Sequence, residues 1–287
     1  MNAERTKLSA GLYLVAVPIG TARDITLRAL DILASADVLA AEDTRSLRRL
    51  MDIHGIAVGD RPLLAYHDHN GGRMRPRLMQ DIADGKSVAY ASEAGTPLIA
   101  DPGYDLALDV RNAGHGVVAA PGPSAVITAL TLGGLPTDRF HFAGFLPNAA
   151  GARKSFLLEL KDIQATLVLY ESPNRVAAAL DAAAEILGPD RPAALCRELT
   201  KKFEEIRRGT LAEVAQSCRD TPPRGEIVLL IGRPNSSNVS DQDLESQLKA
   251  ALGRATVRDA ADEVAAQFGL PRRKVYQMAL KMGKDDA

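Results

Sequence analysis

Two short segments of this chain crowd together side chains that hold or move charge. In CRELTKKFEE, Cys196 to Glu205, the residues Arg197, Glu198, Lys201 and Glu204 fall within a few positions, directly after an apolar run. In YESPNR, Tyr170 to Arg175, Glu171 and Arg175 follow another apolar run. Carboxylates and amines of this kind can take up protons, and cations can steady a developing anion. Charge runs are commonly solvated faces. These two begin where strands should end, and loops at such places often carry function.

A second group of residues is small rather than charged. ASEAGTPLIADPG, Ala91 to Gly103, places Ala94, Gly95 and Thr96 after a predicted strand, where a ligand can approach the backbone closely. Pro121-Gly122-Pro123-Ser124-Ala125 repeats the arrangement after the next strand, with Ser124 able to cap a helix. One such segment is ordinary turn chemistry. Two on successive strands of one sheet favour a pocket, since open α/β sheets bind ligands beyond their strand ends. The first loop, VPIGTARD from Val17 to Asp24, has the strand-loop-helix outline of a phosphate cradle but only Gly20 of its glycines. In YHDHN, His67 and His69 have a metal-ligand spacing, yet no third ligand is evident nearby, and no metal site is predicted.

The elements that must position these residues alternate. Leu12–Val17, Val38–Ala41, Pro62–Tyr66, Ser87–Ala91 and Val117–Ala120 read as short strands, with helical periodicity in segments between them. That alternation predicts a mainly parallel, doubly wound α/β domain over residues 1–122. A second α/β unit, richer in strands able to pair antiparallel, is expected over 123–235. A polar linker, RPNSSNVSDQD, opens the remaining segment 236–287, whose last two helical stretches resemble a helix-turn-helix. There Arg272, Arg273 and Lys274 would open the second helix and meet a phosphate backbone, unless the tail only packs on the body or a dimer mate.

Bulk properties bound the rest. The 287 residues suffice for two domains and an appendage, and 46% hydrophobic composition supports ordinary cores. Cys196 and Cys218 give neither a disulfide framework nor a zinc site, and a cytoplasmic location is expected. The start, MNAERTKLSAG, lacks the apolar core of a signal peptide, and no apolar run approaches the roughly 20 residues that span a bilayer. The net charge of −1 neither announces nor excludes a nucleic-acid partner, because local patches do the binding. Such patches exist at Arg45-Ser-Leu-Arg48-Arg49, Arg73 to Arg77, Arg207-Arg208 and Arg272 to Lys274.

Taken in order, VAVPIGTARDITLRAL, AEDTR, ASEAGTPLIADPG, PGPSAVITAL, GFLP, LYESPNRV, CRELTKKFEE and RGEIVLLIG resemble the tetrapyrrole methylase superfamily, in its ribosomal-RNA-directed branch. The resemblance covers Gly11 to Gly232. It implies two α/β domains, usually in a homodimer, with S-adenosylmethionine in the cleft between them. The implied cofactor contacts are Pro18, Glu93, Ala94, Gly95, Thr96, Pro97, Pro123, Ser124 and Ala125, with Tyr170, Glu171, Glu226 and Ile227 from the second domain. The implied reaction is methylation of a cytidine ribose 2′-oxygen in the decoding region of 16S rRNA, in the small ribosomal subunit. Tetrapyrrole-modifying members typically read Gly-x-Gly-Pro-Gly-Asp at the first loop, so VPIGTARD weakens a tetrapyrrole substrate. Asp68 stands where the branch has Glu.

A neutral ribose hydroxyl is a poor nucleophile, so a base or a cation must assist it. Lys201 could serve either way, provided its neighbours lower its pKa. Glu171 and Glu198 are alternative bases. Arg23, Arg45, Arg175, Arg197, Arg272, Arg273 and Lys274 are the candidate RNA contacts. The plainer reading of Arg197, Glu198, Lys201 and Glu204 is a salt-bridged loop that shapes the site without chemistry. Two rivals remain: a small-molecule, tetrapyrrole-like methyltransferase, and a non-enzymatic RNA-binding protein that keeps the cofactor pocket.

Overall fold

The computed structural model describes residues 3–67, 69–234, 241–268, 270 and 272–285. Asp68, Gly269 and residues 235–240 of the polar linker lie outside the described residues.

The first sheet contains β1 (Gly11–Val15), β2 (Val38–Ala41), β3 (Leu63–Ala65), β4 (Ser87–Ala91) and β5 (Val117–Ala120). Its order is β3-β2-β4-β1-β5 and every pairing is parallel, as the alternation predicts. The inner strands VLAA and SVAYA are buried along their whole length, the pattern of a sheet covered on both faces. One face carries α1 (Leu27–Ser35) and α2 (Thr44–Ile53), and the other α3 (Gly71–Ala83) and α4 (Tyr104–Asn112). Local chemistry sets the helix starts. Thr26 Oγ1 accepts from Ala29 N at 3.2 Å to open α1, and Asp43 accepts from Arg45 N at 2.8 Å to open α2.

Helix α5 (Ala125–Gly133) leads into the second sheet, of β6 (Phe140–Phe145), β7 (Thr166–Glu171), β8 (Pro192–Arg197), β9 (Glu205–Thr210) and β10 (Ile227–Ile231). Its order is β6-β7-β10-β8-β9; only β6 and β7 run parallel. On one face lie α6 (Ala150–Leu160), α7 (Val176–Leu187) and α8 (Leu211–Asp220). The other face is covered by α5 itself, where Val126, Ala129 and Leu130 share a core with Val168, Ala194, Val228 and Leu230. Ile19, from the first loop, belongs to that same core, so the two sheets are joined by packing as well as by chain.

The tail forms α9 (Asp241–Leu252), α10 (Val257–Phe268) and α11 (Arg272–Asp285). They bury a separate core that includes Leu244, Leu248, Ala261, Val264, Val275 and Ala279. Among the described residues, no helix is long and apolar enough to cross a membrane.

A cleft between the two sheets

The second sheet's register gathers its site residues. Because β10 runs antiparallel to both neighbours, its first residue lies beside their last: Ile227 pairs with Glu171 on one side and Arg197 on the other. Opposite them stand the loops after β1 and β4, tied together by Val17 N to Gly95 O at 2.9 Å and Gly95 N to Val17 O at 3.0 Å. The space between is a cleft of about 460 Å³, within the roughly 300–1,000 Å³ typical of ligand sites.

Of the residues proposed from sequence, Glu93, Ala94, Gly95, Thr96, Ser124, Ala125, Tyr170, Glu171, Glu226 and Ile227 line this cleft. Pro97 and Pro123 do not; Pro123 acts through its carbonyl, which accepts from Thr96 Oγ1 at 2.8 Å. Pro18 is also outside. The Val17–Gly95 bridge turns it toward α2 and leaves Ile19 to face the cleft. Sequence reasoning missed Ile19, Glu42, Ile99, Asp101, Phe145, Leu199, Gly225 and Val228. Several could have been found from strand ends alone: Glu42 follows β2, and Phe145 closes β6.

Apolar and acidic groups divide the lining. Ile19, Ile99, Phe145, Tyr170, Leu199 and Val228 offer apolar and aromatic surface. Burial pushes the Tyr170 phenol up to about 12, so it stays neutral. Glu42, Glu93, Asp101, Glu171 and Glu226 supply carboxylates. Glu171 is 3% exposed; its Oε1 accepts from Ser172 N at 2.8 Å and lies 3.3 Å from Arg175 Nε, while Oε2 is buried with no hydrogen-bond partner. An unmatched buried carboxylate oxygen is costly, on the order of 1–3 kcal/mol or more. A cationic or hydrogen-bonding ligand in the cleft would relieve it.

Lys201 and Glu198 are not among the residues that line the cleft; Lys201 Nζ lies 3.0 Å from Glu198 Oε1 and 3.0 Å from Oε2 of Glu226, which does line it. Burial acts to lower the lysine's pKa, but the hydrogen bonds and charges of Glu198 and Glu226 outweigh burial, and the net shift is upward. The condition under which Lys201 would serve as a base is therefore not met; it is a fixed cation. Glu198 is held below the usual carboxylate range, chiefly by the Glu226 N–H, which donates at 2.9 Å, with Lys201 adding to the effect. Gly225 makes this possible, since a Cβ there would lie 2.2 Å from Glu198 Oε1.

The lone glycine of the first loop has a comparable reason. A Cβ on Gly20 would lie 2.5 Å from Lys201 Cγ and 2.6 Å from Thr200 Oγ1. Next to it, Thr21 N donates to Thr200 Oγ1 at 3.2 Å, and the Thr21 hydroxyl donates to Thr200 O. The loop that looks like a defective phosphate cradle instead grips the charged turn of the opposite sheet. Among the described residues, the non-glycine positions with left-handed φ are Leu98 and Ala100, on the loop after β4, and Glu198 and Thr200, on the charged turn. Backbone strain of this kind gathers at functional sites.

The candidate RNA contacts separate into engaged and open cations. Arg175 bonds Leu146 O beside Glu171, Arg197 pairs with Glu205 at 2.8 Å, and Arg272 pairs with Asp262, its Nη2 at 2.7 Å. Arg45 is exposed and pairs with Asp43, while Arg23, Arg273 and Lys274 are exposed. His67 and His69 lie with ring centroids 6.0 Å apart. The described residues hold no cluster of three or more His, Cys, Asp or Glu suited to a metal.

Comparison with known proteins places this geometry. Residues 11–215 match the family model of the tetrapyrrole (corrin/porphyrin) methylases, and residues 238–283 match that of the RsmI C-terminal HTH domain. The chain is 46% identical over 277 residues to ribosomal RNA small subunit methyltransferase I of Mesorhizobium japonicum, spanning 96% of this chain and 93% of that protein. The protein of the same name from Halalkalibacterium halodurans is 41% identical, over 93% of each chain. Uroporphyrin-III-C-methyltransferase from Thermus thermophilus shares the fold, with a TM-score of 0.56 at 22% identity over 78% of this chain and 94% of its own. The chain belongs to the tetrapyrrole methylase family, in the group of the ribosomal RNA small subunit methyltransferases I.

Proposed function

We propose that this S-adenosylmethionine-dependent ribosomal RNA methyltransferase acts on the ribose 2′-oxygen of a cytidine in the decoding region of 16S rRNA. The observation that carries the reading is the near full-length match to ribosomal RNA methyltransferases, tail included. The cleft fits the cofactor's chemistry. Apolar and aromatic walls suit an adenosine, and the carboxylates, with Glu171 Oε2 unmatched, suit a ligand bearing a sulfonium and an ammonium. When bound, S-adenosylmethionine supplies a methyl group on a cationic sulfur.

The chain's own residues do the rest by positioning, which an in-line displacement rewards strongly. Lys201, kept charged by Glu198 and Glu226, steadies the oxygen as it gains negative character. Glu198 is a poor base because its charged form is already stabilised. Glu171 Oε2 is the buried acceptor left for the cofactor or the departing proton. Arg23, Arg273 and Lys274 are the open cations for RNA phosphates, Arg175 and Arg197 act as struts, and Arg45 and Arg272 are surface cations already paired with Asp43 and Asp262. The working form is a cytoplasmic homodimer bound to the small ribosomal subunit.

The test is to incubate the protein with methyl-labelled S-adenosylmethionine and, separately, small ribosomal subunits, naked 16S rRNA and a porphyrinoid. Label on a ribose of the RNA supports the reading. Label on the porphyrinoid supports a small-molecule enzyme, and no transfer with tight RNA binding supports a non-enzymatic role.

A further inference from the structure

Beside the cleft lies a smaller hollow of about 180 Å³. Its apolar walls include Val17, Pro18 and Ala22 from the first loop and Leu47, Leu50 and Ile53 from α2. It meets the cleft at Glu93, which lines both spaces. The first-loop wall is anchored by the Val17–Gly95 bridge at one end. At the other, His54 Nε2 donates to Ala22 O at 2.8 Å. Ile53 is 55% exposed, so the hollow opens to solvent with an uncovered apolar lip. Its volume lies below the roughly 300 Å³ at which pockets for larger ligands begin, the scale of a single ring rather than a macrocycle.

Its surroundings are cationic. Arg49 lines the hollow and exposed Arg23 follows Ala22, whereas Arg45 and Arg48 lie on faces of α2 turned away from it. Helix α2, TRSLRRLMDI, has Asp52 as its only carboxylate. Among the described residues, no carboxylate pairs with Arg23, Arg48 or Arg49. A small hollow with Pro18, Leu50 and Ile53 on its apolar walls, Ser46, Ser92 and Glu93 among its polar lining, and the carboxylate-free Arg23 and Arg49 beside it complements one nucleotide splayed out of a single strand with its phosphates on either side.

We infer that this hollow is the base-receiving subsite for the target nucleotide. The pyrimidine ring enters between Pro18 and the Leu50–Ile53 wall, Arg23 and Arg49 take the flanking phosphates, and the ribose faces the cleft. Glu93 there accepts a hydrogen bond from the exocyclic amine of cytosine, which uracil lacks. The inference rests on the proposed RNA methylation and adds where the nucleotide binds and how its base is read.

The experiment uses full-length protein, small ribosomal subunits and labelled S-adenosylmethionine, with wild type assayed first. No transfer to RNA by wild type would remove the proposed function and this inference together. Given wild-type transfer, Ile53→Trp should raise KM for subunits about tenfold while leaving cofactor affinity by calorimetry unchanged. Arg23→Ala with Arg49→Ala should reduce the salt slope of RNA binding by about 1.4, at roughly 0.7 per single-strand phosphate contact, and the double Lys variant should restore it. Glu93→Gln should shift the preference for cytidine over uridine at the target by about tenfold. Unchanged KM and salt slope in these variants, or loss of cofactor binding in Ile53→Trp, would overturn the subsite while leaving the methyltransferase reading in place.

Discussion

At the scale of single residues, the proposed chemistry centres on Lys201. Lys201→Ala should lower kcat by about 10²–10³-fold, the effect of removing one donor to a developing oxyanion, while calorimetry shows cofactor binding retained. Wild-type turnover in that variant would take Lys201 out of the mechanism. The pH dependence follows from the signs of two shifts. Glu198 is depressed, so its contribution is complete above the ordinary value of 4.5 and is lost as pH falls through its lower folded pKa. Lys201 is raised, so its contribution is complete below 10.5 and is lost as pH rises through its higher folded pKa. Turnover should therefore be flat through neutrality with limbs outside that window; a midpoint near pH 7 would show that Lys201 titrates as a base after all. The sequence displayed Glu198 three positions from Lys201, but not Glu226, which the antiparallel register of β10 delivers. The sign of the lysine's shift was illegible for that reason. Likewise the arginine patches were visible as charge, whereas the partners that occupy Arg175, Arg197 and Arg272 belong to tertiary contacts.

At the scale of elements, the first loop and the charged turn depend on a close approach at Gly20. Gly20→Ala would force Lys201 Cγ and Thr200 Oγ1 to move, since the added atom falls 2.5 and 2.6 Å from them. Overpacking of this kind typically costs about 1–3 kcal/mol. The expected outcome is a lower urea midpoint together with lost methyl transfer; a fully active, equally stable variant would show that the two loops do not need their close approach. Strand and helix positions were largely legible, because buried runs such as VLAA and period-3.6 segments report local burial directly. The facing of individual loop residues was not. Pro18 and Ile19 adjoin in sequence, yet a single bridge between Val17 and Gly95 decides which of them reaches the cleft.

For the whole molecule, the division of labour between body and tail is the main expectation. Deleting residues 236–287 should leave the two sheets folded and the cofactor bound, because helices α9 to α11 bury their own core. If Arg273 and Lys274 contact phosphates, the truncated protein will bind RNA more weakly and with a shallower salt slope. An unchanged slope would assign the tail to packing alone. The independent core has a calorimetric consequence. Heat should melt the intact protein in two steps, a small one for three helices and a large one for the body, each with its own enthalpy. A single Tm read from one optical probe would then describe neither cooperative unit.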